Sequence, residues 1–149
     1  ENGFIRITGR AKSMIVLTNG KKAFPEEYEV LLNNIPGVKD SFVWGNKAPD
    51  GDIQVCAKLV IDPEKYSIGK DGISTEKELG TVFDTAIREI NKNIPQYKII
   101  RYFVMTQEDL VKTTTLKIKR PVEYEKVRSM LDKAGLDMRK ASGRFIETL

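Results

Sequence analysis

The sequence predicts an α+β fold, in which a small central β-sheet packs against helices and is preceded by an N-terminal β-hairpin. Short apolar runs predict strands, and one long segment with apolar residues at helical spacing predicts a helix. These segments follow the order β-α-β-β-α-β with a final helix, which is typical of α+β domains. At 149 residues, with 40% hydrophobic and 31% charged residues, the chain has the size and composition of a single globular domain spanning 1–149.

Turn and cap residues mark the ends of the predicted elements in the N-terminal half. Asn19 and Gly20 make a tight turn after two apolar runs that we expect to form the hairpin. Pro25 suits the first turn of a helix, and the acidic residues after it suit the helix's positive end. We expect one apolar side of this helix to contain Tyr28, Leu31, Leu32 and Ile35. The predicted elements are strands Phe4–Ile7 and Met14–Leu17, helix Pro25–Asn34, and strands Val38–Gly45 and Ile53–Ile61.

The C-terminal half contains the clearest amphipathic helix. Thr75 and Glu78 have the spacing of a capping box, and Pro95 ends the periodic segment. A further strand is expected over Ile99–Met105, and a further helix over Pro121–Lys133, closed by Gly135. Residues 135–149 are compatible with a short helix or a tail. The apolar side of the amphipathic helix comprises Leu79, Val82, Phe83, Ala86, Ile87, Ile90 and Ile94.

Composition narrows the possible functions. The chain has no histidine, which removes histidine-based triads and most zinc sites, and we expect no metal site in it. Its single Cys56 lies in an apolar alternating run, so we interpret it as a core residue. No apolar run approaches the ~20 residues that span a bilayer. The net charge of +4 is scattered and lacks an aromatic platform, so we expect no nucleic-acid binding.

The segment Lys112–Arg120 is the strongest candidate for a functional site. It contains four cations and three hydroxyls in nine residues, followed by a proline that can start a helix. Such a segment suits a polyphosphate, carboxylate or acyl-phosphate ligand. If residues 115–119 are extended, Leu116 and Ile118 share the face that docks on the domain, and the lysines point outward. The structural alternative is a solvated basic loop.

A second segment, about a hundred residues earlier, changes the balance between these interpretations. Residues 3–29 contain Gly9-Arg10-Ala11-Lys12, a strand-like run, the Asn19-Gly20 turn and a Pro-x-Glu-x-Glu string. Taken alone, a Gly-Arg-x-Lys motif is a weak signal. The order and spacing of the whole string, together with the later basic segment, are specific.

Together the two segments resemble the C-terminal domain of the adenylate-forming superfamily, which includes acyl-CoA synthetases, peptide-synthetase adenylation domains and luciferases. In that family G-R-x-[KD] and P-x-E-[IV]-E open the mobile C-terminal domain, and P-K-[TS]-x-[TS]-G-K-[IV]-x-R carries the catalytic lysine. The resemblance spans residues 3 to about 125. It implies that Lys117 is the catalytic lysine, Lys12 the hinge and Arg10 a ribose contact, with Gly20, Lys21 and Lys22 near coenzyme A.

Two departures from the family pattern favour one branch of this family. Leu116 stands where the family usually has glycine, and Val111 stands where it usually has proline. The strings T-L-K-x-K-R and I-V-L-[ST]-N-G-K resemble those of bacterial long-chain fatty acyl-CoA synthetases. Leucine is far less permissive in φ than glycine, so this departure bears on the geometry of the loop around Lys117.

The resemblance implies a ligase with two half-reactions. ATP, with Mg²⁺, activates a fatty acid as the acyl-adenylate, and coenzyme A then takes the acyl group and releases AMP. The chain begins without methionine inside a strand-like run, so we expect it to be the lid of a longer enzyme, with its hinge near 10–12. The lid would act on an N-terminal domain that holds most of the ATP site and the acyl pocket, and would be inactive alone. The resemblance implies a cytoplasmic enzyme and leaves its peripheral association with membranes open.

Alternatives remain at this stage. The intact protein could be an acyl-AMP ligase, or an adenylation domain that delivers to a carrier protein instead of coenzyme A. A different class is a non-enzymatic basic interaction module. Acyl chain length and oligomeric state are not encoded in any motif of this chain.

Overall fold

The computed structural model describes residues 14–62 and 76–149, which form a three-stranded sheet with helices on both faces. The predicted α+β class is confirmed. The strands are β1 Ile15–Val16, β2 Lys22–Ala23, β3 Val38–Lys47, β4 Ile53–Ile61 and β5 Ile100–Thr106. The helices are α1 Pro25–Asn33, α2 Glu76–Asn91, α3 Arg120–Ala134 and α4 Met138–Ala141, with 3₁₀ turns at Gln96–Lys98 and Ile146–Thr148.

The sheet combines one antiparallel and one parallel pairing. β3 and β4 form an antiparallel pair, from Val38 opposite Ile61 to Lys47 opposite Ile53. β5 lies on the other side of β4 and runs parallel to it, because α2 carries the chain back across the sheet between them. β4 is therefore the central strand. β1 and β2 form a separate two-stranded ribbon ahead of α1.

Two apolar cores cover the two faces of the sheet. The first contains the buried residues of α1 and α2, and the second contains those of α3 and α4. Successive residues of β4 alternate between the cores: Ala57 and Leu59 face the first, and Cys56 and Val60 face the second. A strand covered on both sides is expected to be apolar throughout, as the sequence of β4 almost is.

The observed helices match the predicted ones closely, with local differences. Val82 and Leu31 were expected on apolar faces but are 46% and 43% exposed. The side of each helix that packs on the sheet carries their buried neighbours Phe83 and Leu32 instead. α2 ends at Asn91, before Pro95. The Asn91 side-chain amide exchanges two hydrogen bonds, both of 3.0 Å, with the backbone of Ile100, and this pairing joins the helix end to β5.

The last fifteen residues are packed into the domain. Gly135 adopts φ +70° and closes α3, as predicted. Beyond it, Met138 and Ile146 are buried in the second core and Phe145 in the first. Phe145 also forms a parallel bridge with Met105 of β5. The segment therefore extends the edge of the sheet.

Some predicted features lie outside the described residues. These are the run Phe4–Ile7, the capping residue Thr75, and most of the connector between β4 and α2. The run Met14–Leu17 forms β1, whose described partner is β2 across the Asn19-Gly20 turn. The ribbon thus pairs the two sides of that turn.

Cys56 provides a test of the core. It is fully buried on β4, and burial raises the pKa of its thiol to about 12. At pH 8 only about one thiol in ten thousand would be ionised. We expect no reaction with a thiol-specific disulfide reagent in native conditions and complete labelling in denaturant, because Cys56 is the only cysteine in the chain. Rapid stoichiometric labelling of the native protein, followed by absorbance, would contradict this packing.

Candidate functional site

Lys117 lies on a β-hairpin whose tip is a tight five-residue turn. The Thr113 amide donates to the Lys117 carbonyl (2.8 Å), and the Leu116 amide donates to the Thr113 carbonyl (2.9 Å). Below the turn, Lys112 and Ile118 form an antiparallel bridge. This is the pattern of a three-residue hairpin loop, in which a turn is followed by a last loop residue in the left-handed region. The expectation of an extended segment over 115–119 is therefore wrong at its start.

The turn also determines which apolar residue of the hairpin packs on the domain. Leu116 is 76% exposed at the tip of the hairpin, because the turn points its side chain away from the domain. Ile118 alone packs against the second core. Leu116 has φ +65°, the only positive φ of a non-glycine residue among the described residues. Leucine pays roughly 1–2 kcal/mol for this conformation, which glycine adopts freely.

The same turn occurs at the other predicted site. The Leu17 amide donates to the Lys21 carbonyl and the Gly20 amide to the Leu17 carbonyl, both at 2.8 Å. Gly20 has φ +82° and occupies the position that Leu116 occupies in the Lys117 hairpin. No atom of the described residues lies within 4 Å of where a Cβ of Gly20 would be. Gly20 is thus required by its backbone conformation and not by crowding.

The four cations of Lys112–Arg120 divide into two kinds. Lys112 forms an ion pair with Asp40, and Arg120 forms one with Glu29. Lys117 and Lys119 are exposed, and neither has an acidic partner within ion-pair distance in the part of the chain that the structure describes. The hairpin therefore presents two uncompensated ammonium groups.

Arg120 and Glu29 form a bidentate pair at the root of the hairpin. Arg120 Nη1 and Nη2 donate to the two Glu29 carboxylate oxygens at 2.8 and 2.7 Å. The Val43 amide adds a third hydrogen bond of 2.8 Å. Burial raises the pKa of Glu29, and the bonds from Arg120 and Val43 oppose this rise. Burial also lowers the pKa of Arg120, but the hydrogen bond to Glu29 and the negative charges of Glu29 and Glu26 together more than offset it, so the pKa of Arg120 is raised. With three donors converging on it, we assign Glu29 as a carboxylate.

Lys58 and Glu123 form a second, completely buried pair beside the first. Lys58 Nζ lies 2.8 Å from Glu123 Oε1, and both side chains are at most 2% exposed. The other carboxylate oxygen, Oε2, accepts a hydrogen bond of 2.6 Å from the Val111 amide. Because removing one partner of such a pair leaves a buried charge, the cost would be about 3–5 kcal/mol.

The remaining predicted site residues divide between the described and undescribed parts of the chain. Lys21 and Lys22 are exposed and follow Gly20 directly. A shallow groove beside this turn is lined by Thr18, Asn19, Gln96, Tyr97 and Arg101, among others. Arg10 and Lys12 lie outside the described residues.

Sequence reasoning missed the two buried ion pairs. In the sequence, Glu29 is one of several acidic residues after Pro25, and Arg120 is one of the four cations of the basic segment, so neither is marked as a member of a buried pair. One signal was available: Lys58 interrupts the otherwise apolar run 55–61 of β4, and a lysine inside a buried run requires a buried partner. Nothing in the sequence pattern alone identifies that partner as Glu123.

Comparison with known proteins establishes the family. Residues 12–134 match the AMP-binding enzyme C-terminal domain, so the chain belongs to this family. It is 29% identical over 148 residues to a long-chain-fatty-acid–CoA ligase of Mycobacterium tuberculosis, with 89% of this chain and 24% of the relative covered. A long-chain-fatty-acid–CoA ligase of Gallus gallus is 24% identical over 161 residues, covering 89% of this chain and 21% of that protein. The chain thus spans about a quarter of the length of the relatives it matches.

Several solved structures share the fold. A fatty acyl CoA synthetase of Mycobacterium tuberculosis superposes with a TM-score of 0.57 at 20% identity, over 77% of this chain and 20% of that chain. ATP-bound MatB from Rhodopseudomonas palustris gives a TM-score of 0.59 at 19% identity, over 80% and 21%. Within the described ranges, no helix has the length and apolar character needed to cross a membrane.

The repeated turn generates a stability prediction. Leu116→Gly should leave the free energy of unfolding unchanged or raise it by up to about 1 kcal/mol, because relief of the left-handed conformation offsets glycine's greater entropy loss. The matched control is Gly20→Ala, which should lower it by about 1 kcal/mol. Urea denaturation of the chain measures both. A clear loss of stability in Leu116→Gly would show that the leucine side chain is held by contacts.

Proposed function

We propose that this chain is the C-terminal lid of an AMP-forming acid–thiol ligase that converts long-chain fatty acids to acyl-CoA. Two observations carry the proposal together: the chain belongs to the AMP-binding C-terminal domain family, and its hairpin presents an exposed Lys117. The flanking cations Lys112 and Arg120 are instead paired with Asp40 and Glu29. The fatty-acid substrate is inferred from the names of the relatives. An N-terminal domain is the proposed partner, because the relatives are about four times as long.

Lys117 suits the first half-reaction. An oxygen of the fatty-acid carboxylate attacks the α-phosphorus of ATP, forming a P–O bond as the bond to pyrophosphate breaks. Two anions approach each other in this step, so a preorganised ammonium group offsets their repulsion and stabilises the developing charge. The exposed ammonium of Lys117, on a hairpin with a defined backbone, can supply that charge to a site on another domain.

The second half-reaction requires a different surface. The thiol of coenzyme A attacks the acyl carbonyl, loses its proton, and displaces AMP, so Lys117 has no remaining role at the phosphate. Rotation of the lid about Lys12 would move the hairpin away from the active site on the N-terminal domain. The turn around Gly20 would then face that site, with Lys21 and Lys22 beside the coenzyme. In this proposal Arg10 contacts the ribose of the nucleotide.

The proposal divides the site between two domains. Mg²⁺, which accompanies ATP, has no cluster of three or more acidic or sulfur ligands in the described part of this chain. The chain by itself would therefore not turn over. An assay of the intact enzyme with coenzyme A and, in parallel, with a phosphopantetheine carrier protein separates this function from that of a carrier-loading enzyme or an acyl-AMP ligase.

Lys117→Ala in the intact enzyme should reduce adenylate formation by about 10²-fold or more, equivalent to about 2.7–4 kcal/mol for one preorganised donor. Thioester formation from supplied acyl-adenylate should be nearly unchanged. Fatty-acid-dependent pyrophosphate exchange measures the first step, and acyl-CoA release measures the second. Lys119→Ala is the matched control, since Lys119 is also exposed and lies on the same hairpin. A larger selective loss in Lys119→Ala would reassign the role.

Lys12→Pro in the intact enzyme should impair the second half-reaction and spare the first, the reverse of the effect expected for Lys117→Ala. Proline fixes φ near −65° and removes a backbone donor, so the lid would be held in one orientation. Pyrophosphate exchange should persist, whereas thioester formation should fall sharply. The control is Lys12→Ala, which keeps the hinge free to rotate. Normal rates of both steps in Lys12→Pro would place the hinge elsewhere.

A further inference from the structure

The Lys117 hairpin joins the domain at two points, and each point is held by a buried carboxylate. One strand enters at Val111, whose amide donates to Glu123 Oε2 at 2.6 Å. The other leaves at Arg120, whose guanidinium is bonded to both oxygens of Glu29. A hydrogen bond of 2.8 Å from the Lys119 amide to the Val111 carbonyl closes the base between them.

Each carboxylate is in turn held by the central sheet. Glu29 accepts from the Val43 amide of β3, and Glu123 pairs with Lys58 of β4. Arg120 also lies over the ring of Phe42 on β3, 6.0 Å from its centroid. The base of the hairpin is therefore linked to the central sheet through three buried side chains and through Arg120, whose side chain is 22% exposed.

Stability alone is a weak explanation for these charges. Replacing a buried ion pair by apolar side chains of similar volume is often neutral or stabilising, because both charges lose their hydration when buried. Of the five buried polar or charged residues in the described part of the chain, three belong to these two pairs: Glu29, Lys58 and Glu123. They are thus concentrated at one place, the base of the hairpin.

We propose that Glu29, Arg120, Glu123 and Lys58 are positioning residues, which fix the direction in which the hairpin presents Lys117. This inference rests on the proposed function, because it assumes that Lys117 acts in adenylate formation. A long, flexible lysine stabilises charge only if its backbone is held in place, and a shift of about 1 Å in a reacting group can cost about 10²-fold in rate. The four residues act through Lys117 and touch no substrate.

The test uses the full-length enzyme and a variant designed to remove charge without loss of stability. Lys58→Met combined with Glu123→Leu replaces the buried pair by apolar side chains of similar length and removes the acceptor for the Val111 amide. Arg120→Lys keeps a cation but loses the two-pronged bond to Glu29. The control is Arg88→Lys, which alters an exposed pair with Asp84 on α2.

We expect about a tenfold or greater fall in pyrophosphate exchange for the double variant and for Arg120→Lys. Acyl-CoA release from supplied acyl-adenylate should stay within about twofold of wild type, since that step does not use the hairpin. The double variant should melt no lower than wild type, and Arg88→Lys should change neither half-reaction.

Two results would overturn the positioning role. One is pyrophosphate exchange in the double variant within about twofold of wild type, which would show that the base needs no charges. The other is a parallel fall of both half-reactions in both variants with a lower melting temperature, which would show general destabilisation. Failure of the proposed function is distinguishable, because wild type itself would then show no fatty-acid-dependent exchange.

Discussion

The bidentate pair between Glu29 and Arg120 connects the two proposed functional surfaces of this domain, the Gly20 turn and the Lys117 hairpin. Glu29 lies in α1, which begins at Pro25 and is separated by the single residue Phe24 from the ribbon that carries the Gly20 turn. Arg120 begins α3 and ends the hairpin that carries Lys117. Because the pair is largely buried and also bonded to β3, it ties the segment after the turn and the base of the hairpin to the same strand. A lid that alternates between two reactions by rotation requires this property, since both surfaces must move together.

Each surface ends in the same five-residue turn, and the two copies differ in the residue at the left-handed position. Gly20 adopts this conformation without strain, whereas Leu116 does so at a cost and remains exposed. Threonine side chains support the second turn: Thr113 Oγ1 lies 3.0 Å from Thr115 Oγ1 and accepts from the Lys117 amide at 3.2 Å. The hydroxyls that made this segment resemble a ligand site therefore also stabilise its backbone.

Local patterns predicted the elements well, whereas long-range pairing was beyond them. Periodicity and cap residues located the helices to within a few residues, and the Gly135 cap was predicted directly. The exposure of Leu116 was not predicted, because side chains alternate between two faces only in an extended strand, and the chain turns at this point. The Glu29–Arg120 contact spans 91 positions, and its partners could be matched only after the fold had placed α1 beside α3. An acidic residue on a helix is usually solvated, so nothing local distinguished Glu29 from its neighbours.

Lys58 has a further consequence for how the sheet assembles. β4 is buried on both faces, so the alternation of polar and apolar residues that normally specifies strand register is almost absent from it. A slip of one residue would exchange the two faces with little change in hydrophobicity, but it would place the Lys58 ammonium against α1 and α2, away from Glu123. The first apolar core is built of hydrophobic side chains, and the buried carboxylate of α1, Glu29, is already bonded to Arg120 and the Val43 amide. A sheet with this shifted register would bury the Lys58 ammonium without a partner, which is strongly unfavourable. A single buried charge thus favours the correct pairing of the central strand.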